Sequence, residues 1–251
     1  MKPLEPDKPR PVPGERRQRI LTHLVGRGAF GLETRRLCEV CAEVTGMTGA
    51  GIMLMSGDAP GGAICTTDQV SQLIEDLQFT LGEGPCVDAY NTDRPVLEPD
   101  LARPDARWMA FTVPAMAAGV RAVFGFPLQV GAVRLGALNL YRDRPGPLSD
   151  DQHADALVMA DISAAAVLMM QANAPPGKLA VELETGSDFR YVVHQAAGMV
   201  AVQLEVEIAQ AIVRLRGYSF ANDRSLTEVA QDVVARRLRF DALSGEMDPG
   251  P

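Results

Sequence analysis

The sequence predicts an α+β domain with an antiparallel sheet flanked by helices, followed by a small all-α module of three helices. Short apolar runs bounded by glycine alternate with helical patterns over residues 15–172, whereas residues 191–240 show only the helical spacing of threes and fours. A break containing Pro175-Pro176-Gly177 separates the two patterns. We therefore expect a disordered lead at 1–14, the α+β domain at 15–172, a linker at 173–186, the helical module at 187–241 and a disordered tail at 242–251.

The first half of the α+β domain begins with helical patterns at 15–25 and 32–44. An apolar run at 50–55 predicts a strand, and 63–66 is its candidate hairpin partner. Asp68 or Thr67 can cap the helix that runs from Gln69 through Leu77. A turn at 82–85 then places Pro85 at the start of a short helix that continues to Tyr90.

The second half of the domain contains its clearest strands, at 121–130 and 133–141, joined by a tight turn at Gly131-Ala132. Val96 and Leu97 predict a shorter strand before them, and 110–118 predicts a helix. Ser149 and Gln152 form a capping box ahead of a long helix that ends near 171. Because this helix is apolar on more than one face, we expect it to pack on the sheet and on a partner chain in a homodimer.

The C-terminal module consists of three short amphipathic helices, which must pack together because isolated helices of this length are marginal in water. A capping box of Ser225 and Glu228 starts the third helix. The apolar stripes are predicted at Val192, Val193, Ala196, Met199 and Val200, then Val206, Ala209, Ile212, Val213 and Leu215, then Leu226, Val229, Ala230, Val233, Val234 and Leu238.

The composition argues for a cytoplasmic protein. The net charge of −8 disfavours a protein that coats nucleic acid or an anionic membrane. No segment is predicted to cross a membrane, and the N-terminus lacks the apolar core of a signal peptide. Four cysteines without a regular framework predict reduced thiols.

Catalytic and metal-site motifs are not found, so we do not expect an enzyme, a catalytic residue or a metal site. Cys38-x-x-Cys41 lies in the middle of a helical pattern and has no second pair to complete a zinc site, so it is interpreted as packing. Cys86, after a glycine-rich turn and at a predicted helix start, is the best candidate for a redox-sensing thiol.

The charge of the C-terminal module differs from that of the rest of the chain. Residues 187–240 hold seven Arg and six acidic residues, whereas residues 1–186 hold 17 basic and 23 acidic residues. A net charge of +1 is weak for nucleic-acid binding, which rests on neutralising phosphates. The arginines are nevertheless clustered, at Arg214, Arg216, Arg224, Arg236, Arg237 and Arg239.

This module resembles the ANTAR module of transcription antiterminators, in Gln195-Ala196-x-Gly198, in Ala211 with Leu215-Arg216, and in Asn222-x-x-x-Leu226-x-x-Val229-Ala230. It departs from the family at Ala197, where a Lys is frequent. The resemblance implies binding to paired hairpins in nascent messenger RNA, with RNA polymerase as an indirect partner. It implies RNA contacts from Arg214, Arg216, Tyr218, Asn222, Arg224 and Arg237, and close helix packing or RNA approach at Ala196, Gly198 and Ala211.

The α+β domain resembles a GAF domain of the kind fused to ANTAR modules in actinobacterial regulators. The resemblance rests on Leu81-Gly82-Glu83-Gly84-Pro85-Cys86, on the stretch from Val120 to Leu128, and on Gly136-Ala137-Leu138-Asn139-Leu140-Tyr141. It implies a sensor that holds an unidentified small molecule between the sheet and a cover formed by residues 66–118. The pocket would involve Cys86, Tyr90, Trp108, Phe111 and Met116; alternatively, Trp108 and Phe111 simply fill the core.

Two functions follow from these observations. In the first, a GAF–ANTAR regulator binds structured RNA and promotes antitermination, and a signal passes through the helix at 149–171. In the second, the chain is a ligand-binding signalling protein whose C-terminal bundle mediates only dimerisation or other protein–protein contacts. The modest charge of the bundle and Ala197 favour the second interpretation.

Overall fold

The computed structural model describes residues 13–26, 34–56, 59–103, 107–172, 188–222 and 224–240. At its centre is a five-stranded, fully antiparallel sheet in the order β2-β1-β5-β4-β3. The strands are β1 (Gly49–Ser56), β2 (Ala59–Thr66), β3 (Val96–Glu98), β4 (Ala122–Val130) and β5 (Val133–Arg142). The predicted α+β class and antiparallel sheet are therefore confirmed. The predicted linker and tail lie outside the described residues, as does most of the predicted lead.

One face of the sheet is covered by helices α1 (Pro13–Gly26), α2 (Thr34–Thr45) and α6 (Asp150–Ala172). Alternate residues of β1, Ala50, Ile52 and Leu54, point into the apolar core beneath them. α6 starts at the predicted capping box, where the Ser149 and Gln152 side chains each accept a hydrogen bond from the other residue's backbone N–H. The prediction that α6 packs on the sheet is confirmed.

The opposite face carries α3 (Gln69–Leu81), α4 (Pro85–Thr92) and α5 (Met109–Ala117). α3 is capped by Asp68, one of the two predicted caps, whose side chain accepts from the Ser71 N–H. It ends at Gly82, which adopts the left-handed conformation (φ 68°) that glycine tolerates without a Cβ penalty. The predicted cover of this face by residues 66–118 is thus observed.

The C-terminal bundle consists of α7 (Asp188–Leu204), α8 (Ile208–Ala221) and α9 (Leu226–Val234). The predicted capping box at Ser225 and Glu228 is present. Most of the predicted stripe residues are buried, but Val213 is 63% exposed and Ala209 is also exposed, which corrects the second stripe. The buried face of α8 is rotated toward Ala211, Ile212, Leu215 and Ser219, because this face contacts both α7 and α3.

The bundle shares a core with the sheet. Met53 of β1 and Phe79 of α3 are buried in the same apolar cluster as the bundle residues Ala196, Leu215 and Val229. Met55 packs at the edge of this cluster. The bundle therefore completes the cover of the second sheet face, and the two predicted domains share one apolar cluster.

The prediction about the cysteines is wrong. Cys38 of α2 and Cys65 of β2 form a disulfide, although four reduced thiols were expected; the packing of α2 on β2 brings these two cysteines together. By length and composition alone, α6 is long and apolar enough to cross a membrane. The same holds for Val192–Leu204 and Ile208–Ala221 if they are taken together as one span despite the 103° bend between them. Half of the apolar part of α6 is buried inside the protein, as in a core helix.

Candidate functional site

The residues predicted to line a ligand pocket lie in the layer that covers the second sheet face. Trp108 and Phe111 are buried in one apolar cluster, and Met116 packs against it. Cys86 and Tyr90 are buried on the neighbouring α4. The five residues are therefore brought to one side of the sheet, but as parts of a packed interior.

The polar groups around Trp108 are already paired within the protein. The indole Nε1–H donates to Asp88 Oδ2 over 3.0 Å, which connects α5 to α4. The Arg107 guanidinium lies 4.7 Å from the ring centroid and pairs with Glu98. A cavity of about 10 Å³ beside them is large enough for about one water molecule. This environment favours the alternative that Trp108 and Phe111 fill the core.

Cys86 does not have the surroundings of a redox-sensing thiol. Its side chain is fully buried, and its backbone N–H donates to Gln78 Oε1 over 2.7 Å. Burial raises the pKa of the Cys86 thiol well above its usual value, and the neighbouring Glu75 carboxylate raises it further. Because the thiolate is the reactive form, the structure argues against the redox role expected from the sequence.

A buried polar cluster of Glu75, Gln78 and Asn139 lies close to Cys86 and was missed as a candidate site. Asn139 Nδ2 donates to Glu75 Oε1 over 3.1 Å. Glu75 Oε2, Gln78 Nε2 and Asn139 Oδ1 are buried and make no hydrogen bond to any described residue. Buried polar atoms are normally paired. These three atoms therefore have hydrogen-bonding capacity that the described residues do not use.

The signal for this polar cluster was present in the sequence. Glu75 and Gln78 occupy positions of α3 that share its buried face with Ile74 and Phe79, so two polar residues interrupt an apolar stripe. Gly51 of β1 makes room for the carboxyl, because a Cβ there would lie 2.9 Å from Glu75 Cδ. Only the packing of α3 on β1 and β2 shows that these positions meet Asn139 of the neighbouring β5.

Two of the predicted RNA-contacting arginines share one carboxylate. Arg224 and Arg237 both pair with Asp232, at 2.6 and 2.7 Å. Hydrogen bonds from Arg224 and then Arg237 lower the pKa of Asp232. Each arginine therefore reaches RNA only in competition with this carboxylate.

The remaining predicted RNA contacts occupy three different environments. Arg214 is exposed on α8. Arg216, two residues later, lies against Gly82 at the end of α3, and burial lowers its pKa. Tyr218 packs edge-to-face on Phe240, with the ring centroids 5.7 Å apart, and exposed Asn222 donates from Nδ2 to the Tyr218 carbonyl. Arg214 and Asn222 are thus the fully exposed contacts of this group, and Arg214 makes no ion pair with any residue that the structure describes.

The small residues of the predicted site differ in their surroundings. Ala196 and Ala211 are fully buried in the bundle, as expected for close helix packing. Ala197 is also fully buried, so the position where the family often has Lys faces the apolar core here. A Cβ at Gly198, in contrast, would have nothing within 4 Å. Packing against the described residues therefore does not require a glycine at position 198.

Phe220 is a further candidate that the sequence did not single out. It lies one turn after Arg216 on α8, and 64% of its surface is exposed. Exposed aromatic side chains provide stacking surfaces for unpaired bases. The spacing of Val213, Gly217 and Phe220 places them on one side of a helix. The sequence does not show that this side is the exposed one, which only the structure reveals.

Among the described residues, no group of three or more His, Cys, Asp or Glu side chains is placed to hold a metal ion.

Comparison with known proteins identifies the family of the α+β domain. A family model of the GAF domain matches residues 34–167. The structure is similar to the GAF domain of a phosphoenolpyruvate-protein phosphotransferase from Coxiella burnetii, with 15% identity, a TM-score of 0.49 and coverage of 64% of this chain and 95% of that chain. It is also similar to the GAF domain of the Acinetobacter phosphoenolpyruvate-protein phosphotransferase, with 11% identity and a TM-score of 0.48. That match covers 64% of this chain and 96% of the Acinetobacter chain. A third similar structure is a GAF domain/HD domain protein from Geobacter sulfurreducens, with 15% identity and a TM-score of 0.44. That match covers 57% of this chain and 94% of the Geobacter chain.

No curated protein matches the chain. Because the family model covers more than half of the chain, this protein belongs to the GAF domain family.

Proposed function

We propose that this protein is a non-catalytic regulator in which the GAF domain senses a small polar molecule and controls RNA binding by the C-terminal bundle. The RNA would be paired hairpins in a nascent transcript, and the outcome would be antitermination, as the resemblance to ANTAR modules implies. The observation that carries the RNA-binding part is the exposed face of α8, where an aromatic side chain and an arginine are both accessible.

The chemistry of this face suits single-stranded loops. Phe220 provides a ring on which an unpaired base can stack, and Arg214 provides a cation for the phosphate backbone. Arg236 and Arg239, just after α9, add two more exposed cations. Loop recognition by stacking needs fewer charges than binding along a duplex, so the module's modest net charge is compatible with this role.

The proposed ligand site is the polar cluster of Glu75, Gln78 and Asn139. Burial raises the pKa of Glu75 to about 8, so its carboxyl is largely protonated near neutral pH. In that form Glu75 can donate a hydrogen bond, Gln78 Nε2 can donate another and Asn139 Oδ1 can accept one. The arrangement favours a small neutral molecule with both donors and acceptors.

A second function is favoured by a different observation. Val202 is 80% exposed, and Ile208 and Val213 are also exposed on the bundle. Exposed apolar residues are common at protein–protein interfaces. In this alternative, the bundle binds a second copy of the chain or another protein, and RNA binding is absent.

The homodimer and the cytoplasmic location remain part of the proposal. Leu157 and Met169 are exposed on the outer side of α6, which is consistent with the expected contact between two copies through this helix. Light scattering on the purified protein gives the molar mass directly. A monomer at all concentrations would exclude the expected transmission of a signal through dimer geometry.

Two variants of α8 and two matched controls test the RNA-binding role. Phe220→Ala is paired with Met109→Ala, which removes an exposed apolar side chain from α5, and Arg214→Ala is paired with Arg94→Ala, which removes an exposed cation from the GAF domain. Binding to a labelled RNA with two adjacent hairpins is measured over a range of salt.

Loss of stacking by Phe220→Ala is expected to weaken binding by about 1–3 kcal/mol. Loss of one phosphate contact by Arg214→Ala is expected to reduce the slope of log K against log salt by about one. The two controls are expected to bind like the wild type. If all four variants bind alike, this face of α8 does not contact RNA.

A further inference from the structure

The contact between Arg216 and Gly82 connects the bundle to the end of α3. The guanidinium lies directly over the glycine: a Cβ at Gly82 would come within 2.5 Å of Nη1 and 2.9 Å of Cζ. Arg216 Nε is buried and makes no hydrogen bond within the described part of the chain. The cation is therefore held by packing in a space that only glycine leaves open.

The position of Arg216 depends on the docking of the bundle. Phe79, one turn before Gly82 on α3, is buried with Met53 and Leu215 in the shared apolar cluster. Leu215 is the residue immediately before Arg216. Docking of α8 on α3 therefore carries Arg216 onto Gly82, and separation of the two helices would return the guanidinium to solvent.

The docked position changes which groups α8 presents. Arg216 and Phe220 are four residues apart, so their side chains are neighbours on one side of the helix. In the docked bundle Phe220 is exposed while Arg216 is turned toward the GAF domain. Undocking would place a cation beside the exposed ring, a combination that binds both the phosphate and the base of an unpaired nucleotide.

We propose that the Arg216–Gly82 contact is autoinhibitory: the docked bundle withholds Arg216 from RNA, and release of α8 from α3 makes it available. This proposal rests on the RNA-binding function proposed above. The same helix, α3, carries Glu75 of the polar cluster one turn before Phe79. A ligand that moves α3 would therefore act directly on the autoinhibitory contact.

Gly82→Asn tests this contact, with Gly131→Asn as the matched control. Both glycines adopt positive φ, 68° and 59°, a conformation that Asn tolerates better than most residues. A side chain at Gly82 meets Arg216, whereas a Cβ at Gly131 has nothing within 4 Å. The backbone strain is thus similar in the two variants, and only Gly82→Asn displaces the guanidinium.

The first readout does not involve RNA. The full-length protein is treated with the arginine reagent phenylglyoxal, and the modification of each arginine is followed by peptide mass spectrometry. In the wild type and in Gly131→Asn, Arg216 is expected to react more slowly than exposed Arg214. In Gly82→Asn the two rates should become similar. If Arg214 and Arg216 react at equal rates in the wild type, the proposal is overturned. This outcome does not depend on whether Gly82→Asn folds.

The second readout is affinity for a labelled RNA with two adjacent hairpins. Gly82→Asn is expected to bind at least about fivefold more tightly than the wild type, the lower end of ordinary coupling between sites. Gly131→Asn should be unchanged. If Arg216 becomes reactive in Gly82→Asn but the affinity for RNA does not change, the contact is not autoinhibitory. The proposed RNA-binding function would still stand in that case. No binding by any of the three proteins overturns the proposed function and autoinhibition together.

Discussion

Asn139 Nδ2 donates a hydrogen bond to Glu75 Oε1 over 3.1 Å, and this contact joins the centre of β5 to α3. Burial is the main cause that raises the pKa of Glu75 to about 8; the Asn139 bond opposes this rise, and the charge of Asp76 adds to it. Glu75 is also one turn from Phe79, which packs on the C-terminal bundle. A buried carboxyl with a raised pKa therefore lies on the same helix as the apolar contact with the bundle.

The stability of the protein should depend on pH through Glu75. The folded state binds this proton more tightly than the unfolded chain, whose carboxyl has a pKa near 4.5. The free energy of unfolding should therefore fall as the pH rises from about 4.5 to about 8. Glu75→Gln cannot ionise and should show a flatter dependence, measured by urea unfolding at several pH values in this window. Parallel pH dependences of the two proteins would contradict the raised pKa.

The Cys38–Cys65 disulfide should stabilise the folded chain. It closes a loop with a sequence separation of 27 residues, and a loop of this size corresponds to about 3.5 kcal/mol in the chain-entropy model. Wild-type protein should therefore unfold at lower denaturant concentration when a reductant is present. Cys65→Ala lacks the disulfide, so its unfolding midpoint should not change when reductant is added. Identical unfolding midpoints for the oxidised and reduced wild type would show that the disulfide does not contribute to stability.

Gly198→Ala should show whether the glycine matters for the stability of the bundle or for RNA binding. A Cβ at this position meets nothing within 4 Å, and Ala in a helix interior is more favourable than Gly by about 1 kcal/mol. Gly217→Ala on α8, which is equally unobstructed, is the control. Both variants should unfold at higher denaturant concentration, and only Gly198→Ala should bind RNA less tightly if RNA approaches there. A loss of stability in Gly198→Ala would instead indicate a close contact with another chain.

The shared core should make Phe79 important for both the GAF domain and the bundle. Phe79→Ala is expected to cost about 3–5 kcal/mol, because it leaves a cavity between α3 and the bundle. Native-state hydrogen exchange should accelerate in α9 as well as in α3. Phe126→Ala, on the opposite sheet face, is the control and should leave local exchange in α9 unchanged. Unaltered exchange of α9 in Phe79→Ala would show that the bundle folds independently.

The parts of this fold that the sequence predicted are those set by local rules. Periodicity and the conformational preferences of single residues predict the strands of the β4–β5 hairpin, the caps at Ser149 and Ser225 and the turn at 82–85. They also narrow the cap of α3 to Asp68 or Thr67, of which the structure has Asp68. Each depends on neighbours within a few positions. These predictions therefore needed no knowledge of how the helices pack.

The parts that could not be predicted depend on contacts between distant segments. The spacing of four cysteines does not show that Cys38 meets Cys65, because their approach requires α2 to pack on β2. Arg216 looked equivalent to Arg214 in the sequence, yet docking on α3 partly buries Arg216 and leaves Arg214 exposed. The polar cluster similarly exists only because α3 packs on β1 and β2, which brings Glu75 to Asn139 of β5.

The most direct test of RNA-based regulation is a fluorescence-anisotropy titration of the full-length protein with two labelled RNAs, one carrying two adjacent short hairpins and one carrying a single hairpin. Tighter binding to the paired hairpins that persists at moderate salt is expected. Equal, weak binding to both RNAs that disappears at moderate salt would indicate non-specific charge contacts and contradict the proposed function. The exposed apolar residues of the bundle would then be best explained by a protein partner.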